Sequence, residues 1–301
     1  MKILIIGAGA IGTWLAGLLS LKNRVWILGR KQSFVAINRD GVEINGEFIS
    51  KPKALVDIRK LNEDPELVIF AVKAYDTKRA SNVIASHICN STSLLTLQNG
   101  LGNEESIGEK FGISKVIGGT TTYGITYEAP GRVIHRGYGL TLVGRMDGKI
   151  TSKLKEVSSV LNRAGIKTKI TTNIRREKWL KAIVNAAINP LTALNGCRNG
   201  DLLDGNSLEN LLESTCIECK GVANAYGIEL SRDPLELTKE IVRGTARNYS
   251  SMLQSIRAGK RTEIDFINGH FVRVGKELGV STPINEELVV KIKGMEQRLK
   301  L

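Results

Sequence analysis

Three stretches of this 301-residue chain carry residue types and spacings that could do chemistry. Near the start, Gly7, Gly9 and Gly12 are spaced G-x-G-x-x-G. That pattern suits a pyrophosphate. The first glycine allows a tight turn, the second puts no side chain between backbone and phosphate, and the third lets a helix pack close to a strand. With Ala8, Ala10 and Ile11 they form a loop whose helix N-terminus offers free N–H groups to an anion. Further on, Lys181, Asn185 and Asn189 recur at i, i+4 and i+8, one slowly drifting stripe on a helix. An ammonium and two amides among apolar neighbours need partners, which a ligand can supply. Asn248 and Ser251, at i and i+3, are expected on one helix face, and Glu263 opens the next helical segment. Each stretch also has a plainer reading: a structural strand–turn–helix, a solvated helix stripe, and a capped helix–loop–helix.

The elements around these residues sharpen the picture. Ile3–Ile6 is an unbroken apolar run, as in a parallel strand buried on both faces. Val25–Leu28 reads as the second strand and ends in Gly29-Arg30-Lys31, with no acid between Asn23 and Arg39. An acid at that tip would hold a ribose 2′-hydroxyl, whereas a guanidinium suits a 2′-phosphate. The expected cofactor is therefore NADP(H), with NAD(H) as the alternative. A helix over Lys31–Asp40 precedes a hairpin turning at Asn45-Gly46. Strands are expected at Leu67–Val72, Ser93–Leu97 and Lys115–Gly118, with helices over Asp76–Ile88 and up to Phe111. Lys73 and Asn99 follow strand ends, which places them with Arg30 on the rim where such sheets bind ligands. Val133–His135 and Leu140–Val143 flank a turn at Arg136–Gly139, then come a helix over Lys149–Ala164 and a short strand at Lys167–Ile170.

From Asn173 strand signals stop and helical periodicity runs to the end. The fold class is α/β: a Rossmann-like, doubly wound domain over 1–172, then an all-helical domain over 173–301. The turn Thr171-Thr172-Asn173 is preferred as the boundary over Pro130-Gly131. Pro190 removes the helix donor to the Ala186 carbonyl, which predicts a kink after Asn189.

Composition excludes several classes. At 42% hydrophobic and 24% charged residues the chain is a folded globular protein. Its net charge is +13, but no run of five basic residues and no aromatic-interleaved basic stripe argues for nucleic acid. Anionic small molecules account for the charge. The apolar N-terminus is broken by glycines and lacks a small-residue cleavage site, so neither membrane span nor leader is expected and the cytoplasm is the expected location. Cys89, Cys197, Cys216 and Cys219 are too scattered for a disulfide framework, and Cys216-x-x-Cys219 sits in a helical pattern. His87, His135 and His270 match no ligand spacing, so no metal is expected.

Taken together, GAGAIG, the strand-two Arg30, AVKAYDT around Lys73, LQNGLGNEE around Asn99, KWLKAIVNAAINPLTAL around Lys181 and NYSSMLQSIRAGKRTEIDFINGH resemble the ketopantoate reductase family over essentially the whole chain. The resemblance implies reduction of 2-dehydropantoate to (R)-pantoate, a step of pantothenate and coenzyme A biosynthesis. It implies Lys181 as the general acid at the carbonyl oxygen and Glu263 as the group orienting Lys181 or the substrate–cofactor pair. Asn185, Asn189, Asn248 and Ser251 would hold the substrate carboxylate and hydroxyl. Lys73 and Asn99 would lie between nicotinamide and substrate, and Asn199, in the Cys197–Gly200 turn, matches a further polar position. Since these residues come from both domains, the expected site lies where the domains meet. The partner is a small 2-keto acid, with no nucleic acid and no membrane, and a homodimer is left open. Two alternatives remain: another NAD(P)-dependent 2-keto or 3-hydroxy acid reductase, and a non-catalytic NADP sensor, which would have no need of Lys181 with Glu263.

Overall fold

A computed structural model of the chain describes residues 1–299, the Asn206 side chain excepted. Its backbone contacts divide into two compact units. One comprises Met1–Gln98 and Asn103–Ile174; the other comprises Asn99–Gly102 and the chain from Arg175 onward.

The first unit begins with β1 (Lys2–Ile6), α1 (Ala10–Ser20), β2 (Arg24–Leu28) and α2 (Lys31–Asp40). The strands β3 (Val42–Ile44), β4 (Glu47–Ser50), β5 (Lys53–Leu55) and β6 (Leu67–Phe70) follow, then α3 (Thr77–Ile84), β7 (Ser93–Thr96) and α4 (Asn103–Phe111). It closes with β8 (Val116–Thr121), β9 (Gly124–Ala129), β10 (Arg132–Gly137), β11 (Thr141–Arg145), α5 (Ser152–Arg163) and β12 (Thr168–Ile170). Eight strands form one sheet in the order β12-β11-β8-β7-β6-β1-β2-β5. It is parallel from β5 to β8, and β11 runs antiparallel to β8.

The apolar run of β1 is needed because the sheet is covered on both faces. Ile3 and Ile5 pack in a core with Trp14 and Leu15 of α1 and Val160 of α5, while Leu4 and Ile6 pack on the other face with Ile84 of α3 and Ile107 of α4. This is the doubly wound arrangement expected from the sequence.

A second sheet, β4-β3-β10-β9, corrects the local reading. Its β3–β4 hairpin turns at Asn45 (φ 56°) and Gly46 (φ 82°), both left-handed as a two-residue turn requires. The strands read on either side of Arg136–Gly139 do not pair with each other: β10 pairs with β9 and β3, and β11 pairs with β8. The reversal lies one strand earlier, at Pro130-Gly131, where Gly131 (φ 81°) turns β9 into β10. Those two residues form a hairpin turn within the first unit. Neither β9 nor β5 was foreseen: β5 is only three residues long, and β9 has no fully buried position, so neither shows a clear apolar alternation.

The helical unit contains α6 (Ile174–Asn195), whose first residue closes the preceding unit, then α7 (Asn206–Ala225), α8 (Pro234–Gly244), α9 (Ser251–Arg257), α10 (Asn268–Leu278) and α11 (Pro283–Arg298). Its core gathers Trp179, Ile183, Ala187 and Leu191 of α6 with Leu212, Val222, Phe271 and Ile292. Pro190 does not end α6, which continues to Asn195. The Ala186 carbonyl that Pro190 deprives of a helix donor accepts instead from Asn268 Nδ2 at 3.0 Å. Cys216 and Cys219 are buried in this core on α7, and all four cysteines are free. Among the described residues no helix is long and apolar enough to cross a membrane.

Candidate active site

In the first unit three strand ends converge on the glycine loop. Gly7 has φ 108°, and a side chain there would meet the Val72 nitrogen at 2.7 Å, just beyond β6. Its own N–H donates to the Leu28 carbonyl at 2.9 Å, joining the loop to the end of β2. A side chain on Gly29 would meet the Ala8 methyl at 2.8 Å, so Arg30 is the next residue after a point of contact with the loop. Arg30 is exposed and stands at the N-cap of α2. A Cβ on Gly12 would collide with the Gly7 carbonyl oxygen, which explains the third glycine by helix–strand packing.

Gly9 differs. A Cβ there would meet no protein atom within 4 Å, and its φ of −85° suits any residue. Nothing in the protein's own packing calls for a glycine at this position. It caps α1 without a side-chain hydrogen bond, and the first turn of α1 carries no acid. The first N–H groups of that helix, on Ala10, Ile11 and Gly12, precede its first internal donor, so the loop suits a phosphate.

Lys73 is half-buried and leads into a 3-10 turn, Ala74–Asp76, with Asp76 N–H donating to its carbonyl at 2.8 Å. Gln98, which the sequence showed only as a strand end, holds this turn. Its amide nitrogen Nε2 donates to the Val72 carbonyl and to Thr77 Oγ1, both at 2.9 Å, while its Oε1 accepts from Thr96 Oγ1 at 2.9 Å. The signal available in the sequence was an amide at the end of an apolar strand, directly before the predicted Asn99.

The other predicted residues lie in the helical unit. From Lys178 to Ala193, α6 is buried at every position except Lys181 and Asn185, which are half-buried. Asn189, one further step along the stripe, is 5% exposed. Successive i+4 steps rotate by about 40°, so the stripe turns inward along the helix. Among the described residues neither the Asn185 nor the Asn189 side-chain amide has a hydrogen-bond partner in the protein.

Burial pulls the Lys181 ammonium down to about 8; the Lys178 charge adds to the fall, and Glu263 opposes it. Both neighbours are buried, at 5% and 7% exposure. Glu263 precedes a 3-10 turn, Ile264–Phe266, and its carbonyl accepts from Phe266 and Ile267 N–H. The same turn holds the Asn99 loop: Leu101 N–H donates to the Phe266 carbonyl at 2.9 Å, and Gly100 (φ 80°) leaves room for that approach. Asn99 therefore packs with the helical unit and not with the sheet it leaves.

Asn199 and Asn248 come together through the backbone, with Asn199 N–H donating to the Asn248 carbonyl at 2.9 Å. Asn199 Nδ2 donates to Thr245 Oγ1 at 2.9 Å, and its buried Oδ1 has no partner in the protein. The expectation that Asn248 and Ser251 share a helix face is corrected. Asn248 lies in the turn before α9, closed by its N–H to the Thr245 carbonyl, and Ser250 is the cap. Both Asn248 and Ser251 are exposed. A serine one position ahead of the helix competes well for the cap role, which the i, i+3 count cannot see.

Two family models match this chain. "Ketopantoate reductase PanE/ApbA" covers residues 3–148, and "Ketopantoate reductase PanE/ApbA C terminal" covers residues 173–296. The chain belongs to the ketopantoate reductase family. A 2-dehydropantoate 2-reductase of Pyrococcus horikoshii is 40% identical over 297 residues, 98% of each chain. The crystal structure of a PanE/ApbA family ketopantoate reductase from Ralstonia eutropha superimposes with a TM-score of 0.92 at 30% identity, covering 100% of both chains. D-mandelate dehydrogenase, solved with NADH and anilino(oxo)acetate, has a TM-score of 0.91 at 26% identity, again over 100% of both chains. As a member of the ketopantoate reductase family this chain is an NAD(P)-dependent oxidoreductase.

Proposed function

We propose that the protein reduces 2-dehydropantoate to (R)-pantoate with NADPH, in the pathway to pantothenate and coenzyme A. The observation that carries this reading is the Lys181 stripe: an ammonium lowered to about 8 on a buried helix, followed by two asparagine amides with no protein partner among the described residues. Reduction of a ketone builds negative charge on oxygen, and a lysine near neutrality can both stabilise that charge and deliver a proton.

The nicotinamide, when bound, supplies the hydride to C2 of the keto acid. Lys181 donates the proton to the carbonyl oxygen, and Glu263 keeps Lys181 charged enough to do so. Asn185 and Asn189, with Asn199, Asn248 and Ser251, bind the substrate carboxylate and hydroxyl. The loop from Gly7 to Gly12 takes the pyrophosphate, a role supported by the open space at Gly9. Lys73 and Asn99 contribute to both cofactor and substrate binding, with Glu263 beside the cofactor. Arg30 takes the 2′-phosphate.

A second reading has its own support. D-mandelate dehydrogenase shares the fold and was solved with NADH, so NAD(H) and another 2-keto acid are the runners-up. Oxidation of NADPH and of NADH with 2-dehydropantoate, benzoylformate and a panel of other 2-keto acids separates them. The reading expects the highest kcat/KM with NADPH and 2-dehydropantoate. Arg30→Ala should weaken NADPH by about 1.5–3 kcal/mol more than NADH, as for a lost charge-assisted contact. Equal losses for both cofactors, or a native preference for NADH, would reject the NADPH assignment. A preference for an aryl keto acid would reject the substrate.

A further inference from the structure

Pro190 opens an acceptor in the middle of a buried helix, and Asn268 fills it. The two residues joined, Asn268 and Ala186, are both 0% exposed. Ala186 directly follows Asn185 and lies one turn before Asn189. Asn268 opens α10, immediately after the turn that begins at Glu263. Within that turn Phe266 and Ile267 N–H bond to the Glu263 carbonyl at 3.0 and 3.2 Å, so Glu263 and Asn268 belong to one short, internally bonded segment.

We propose that Asn268 is a positioning residue for the reaction: its bond to the Ala186 carbonyl locks the segment carrying Glu263 to the helix carrying Lys181, Asn185 and Asn189. The proposal rests on the role given above to Lys181 and Glu263.

The surroundings make this lock directional. The Asn268 amide has two N–H groups; one meets Ala186 and the other meets Asn285 Oδ1 at 2.9 Å. Asn285, also 0% exposed, is held in turn, since its backbone N–H and its Nδ2 donate to Glu218 Oε2 at 3.0 and 2.7 Å. The Cys219 thiol donates to Asn285 Oδ1 at 3.4 Å. The second cysteine of the Cys-x-x-Cys pair is thereby a member of this buried network. An alanine at position 190 would donate to the Ala186 carbonyl as well, and the second lone pair of that oxygen still accepts from Asn268, so the link to the Glu263 segment survives in that variant. Since Leu101 N–H bonds to the Phe266 carbonyl, the same lock also fixes the loop bearing Asn99.

A purely structural role and a positioning role separate in one double mutant. Asn268→Ala orphans the Ala186 carbonyl; adding Pro190→Ala restores a helix donor to it but not the link to the Glu263 segment. The full-length wild type, P190A, N268A and N268A/P190A are compared by melting temperature, kcat and KM for 2-dehydropantoate, NADPH affinity, and the pH profile of kcat. Expected is a lowered melting temperature in N268A that the second substitution restores, with kcat of the double mutant still at least about 10-fold below that of P190A, within the usual coupling of contacting residues. NADPH affinity should change less than about twofold, and the alkaline limb of kcat should move because Lys181 no longer has Glu263 in register. If N268A does not fold, the double mutant against P190A carries the comparison alone. Recovery of kcat to within about twofold of P190A, with an unmoved pH profile, would overturn the proposal and leave Asn268 as a filler of hydrogen-bonding capacity. K181A serves as the reference. If it loses turnover while N268A/P190A keeps it, only this inference fails; if K181A keeps turnover, the role given to Lys181 fails and takes the inference with it.

Discussion

Thr192 Oγ1 lies 2.7 Å from Ser250 Oγ, a hydroxyl contact that joins the last turns of α6 to the start of α9. Both side chains are buried, at 0% and 5% exposure. Ser250 is at the same time the cap of α9, accepting from Leu253 N–H at 3.2 Å. One contact thus connects the end of the Lys181 stripe to the segment bearing Asn248 and Ser251. Thr192→Val keeps the shape and removes the hydroxyl, so urea unfolding should show a loss of about 1–2 kcal/mol. Ser250→Ala should cost about 1 kcal/mol as a lost cap. The double mutant should lose less than the sum, and simple additivity would show the contact to be idle.

With Lys181 as the proposed general acid, the pH dependence of turnover follows. A general acid works in its protonated form, so kcat should fall as pH rises through about 8. Lys178 lowers and Glu263 raises the Lys181 value. Lys178→Met should therefore move the falling limb to higher pH, and Glu263→Gln should move it lower. Lys181→Ala should reduce kcat by roughly 10²–10⁴ in a folded protein that still binds NADPH. Shifts of the same sign in the Lys178 and Glu263 variants would contradict the electrostatic account.

The two later glycines of the loop should respond differently to the same methyl group. Gly12→Ala forces a collision with the Gly7 carbonyl, and a lowered melting temperature is expected without any cofactor present. Gly9→Ala meets only open space, so the free protein should melt as the wild type does. Its cofactor affinity should nevertheless fall by about 1–3 kcal/mol, the cost of overpacking a close contact. Calorimetric melting with and without NADPH distinguishes the two, and unchanged affinity in Gly9→Ala would remove the phosphate from this position.

The cysteines should separate by reactivity. Hydrogen bonds with the Ser91 and Thr92 hydroxyls pull the partly exposed Cys89 thiol down to about 7. Burial pushes Cys216 up to about 11 and Cys219 well up. At pH 7.5 an alkylating reagent should modify Cys89 at least about 10-fold faster than either, since the thiolate is the reactive form. Mass spectrometry of digests reads this directly. Early modification of Cys219 would mean that the Asn285 network opens in the native protein.

Much of this protein was legible in the one-dimensional chain because the signals are local. The apolar run of β1, the G-x-G-x-x-G spacing and the Asn45-Gly46 turn each act through backbone conformation or through burial on both faces, and each appears in the fold as read. The Lys181 stripe is likewise a matter of helical period. The pattern also showed that Pro190 would strip the Ala186 carbonyl of its donor.

Tertiary structure alone decided who answers that carbonyl. Asn268 is far away in the chain, and no period links the two. The same limit applies to β10 and β11, whose strand character is local but whose sheets are not, because pairing joins strands distant in the chain. It applies to Asn99 as well: the sequence leaves it at the end of a strand, and a backbone hydrogen bond from Leu101 to Phe266 carries it to the helical unit. Residue type and spacing determine which groups can bond, while the choice among distant partners belongs to packing, where most buried donors and acceptors find a complement.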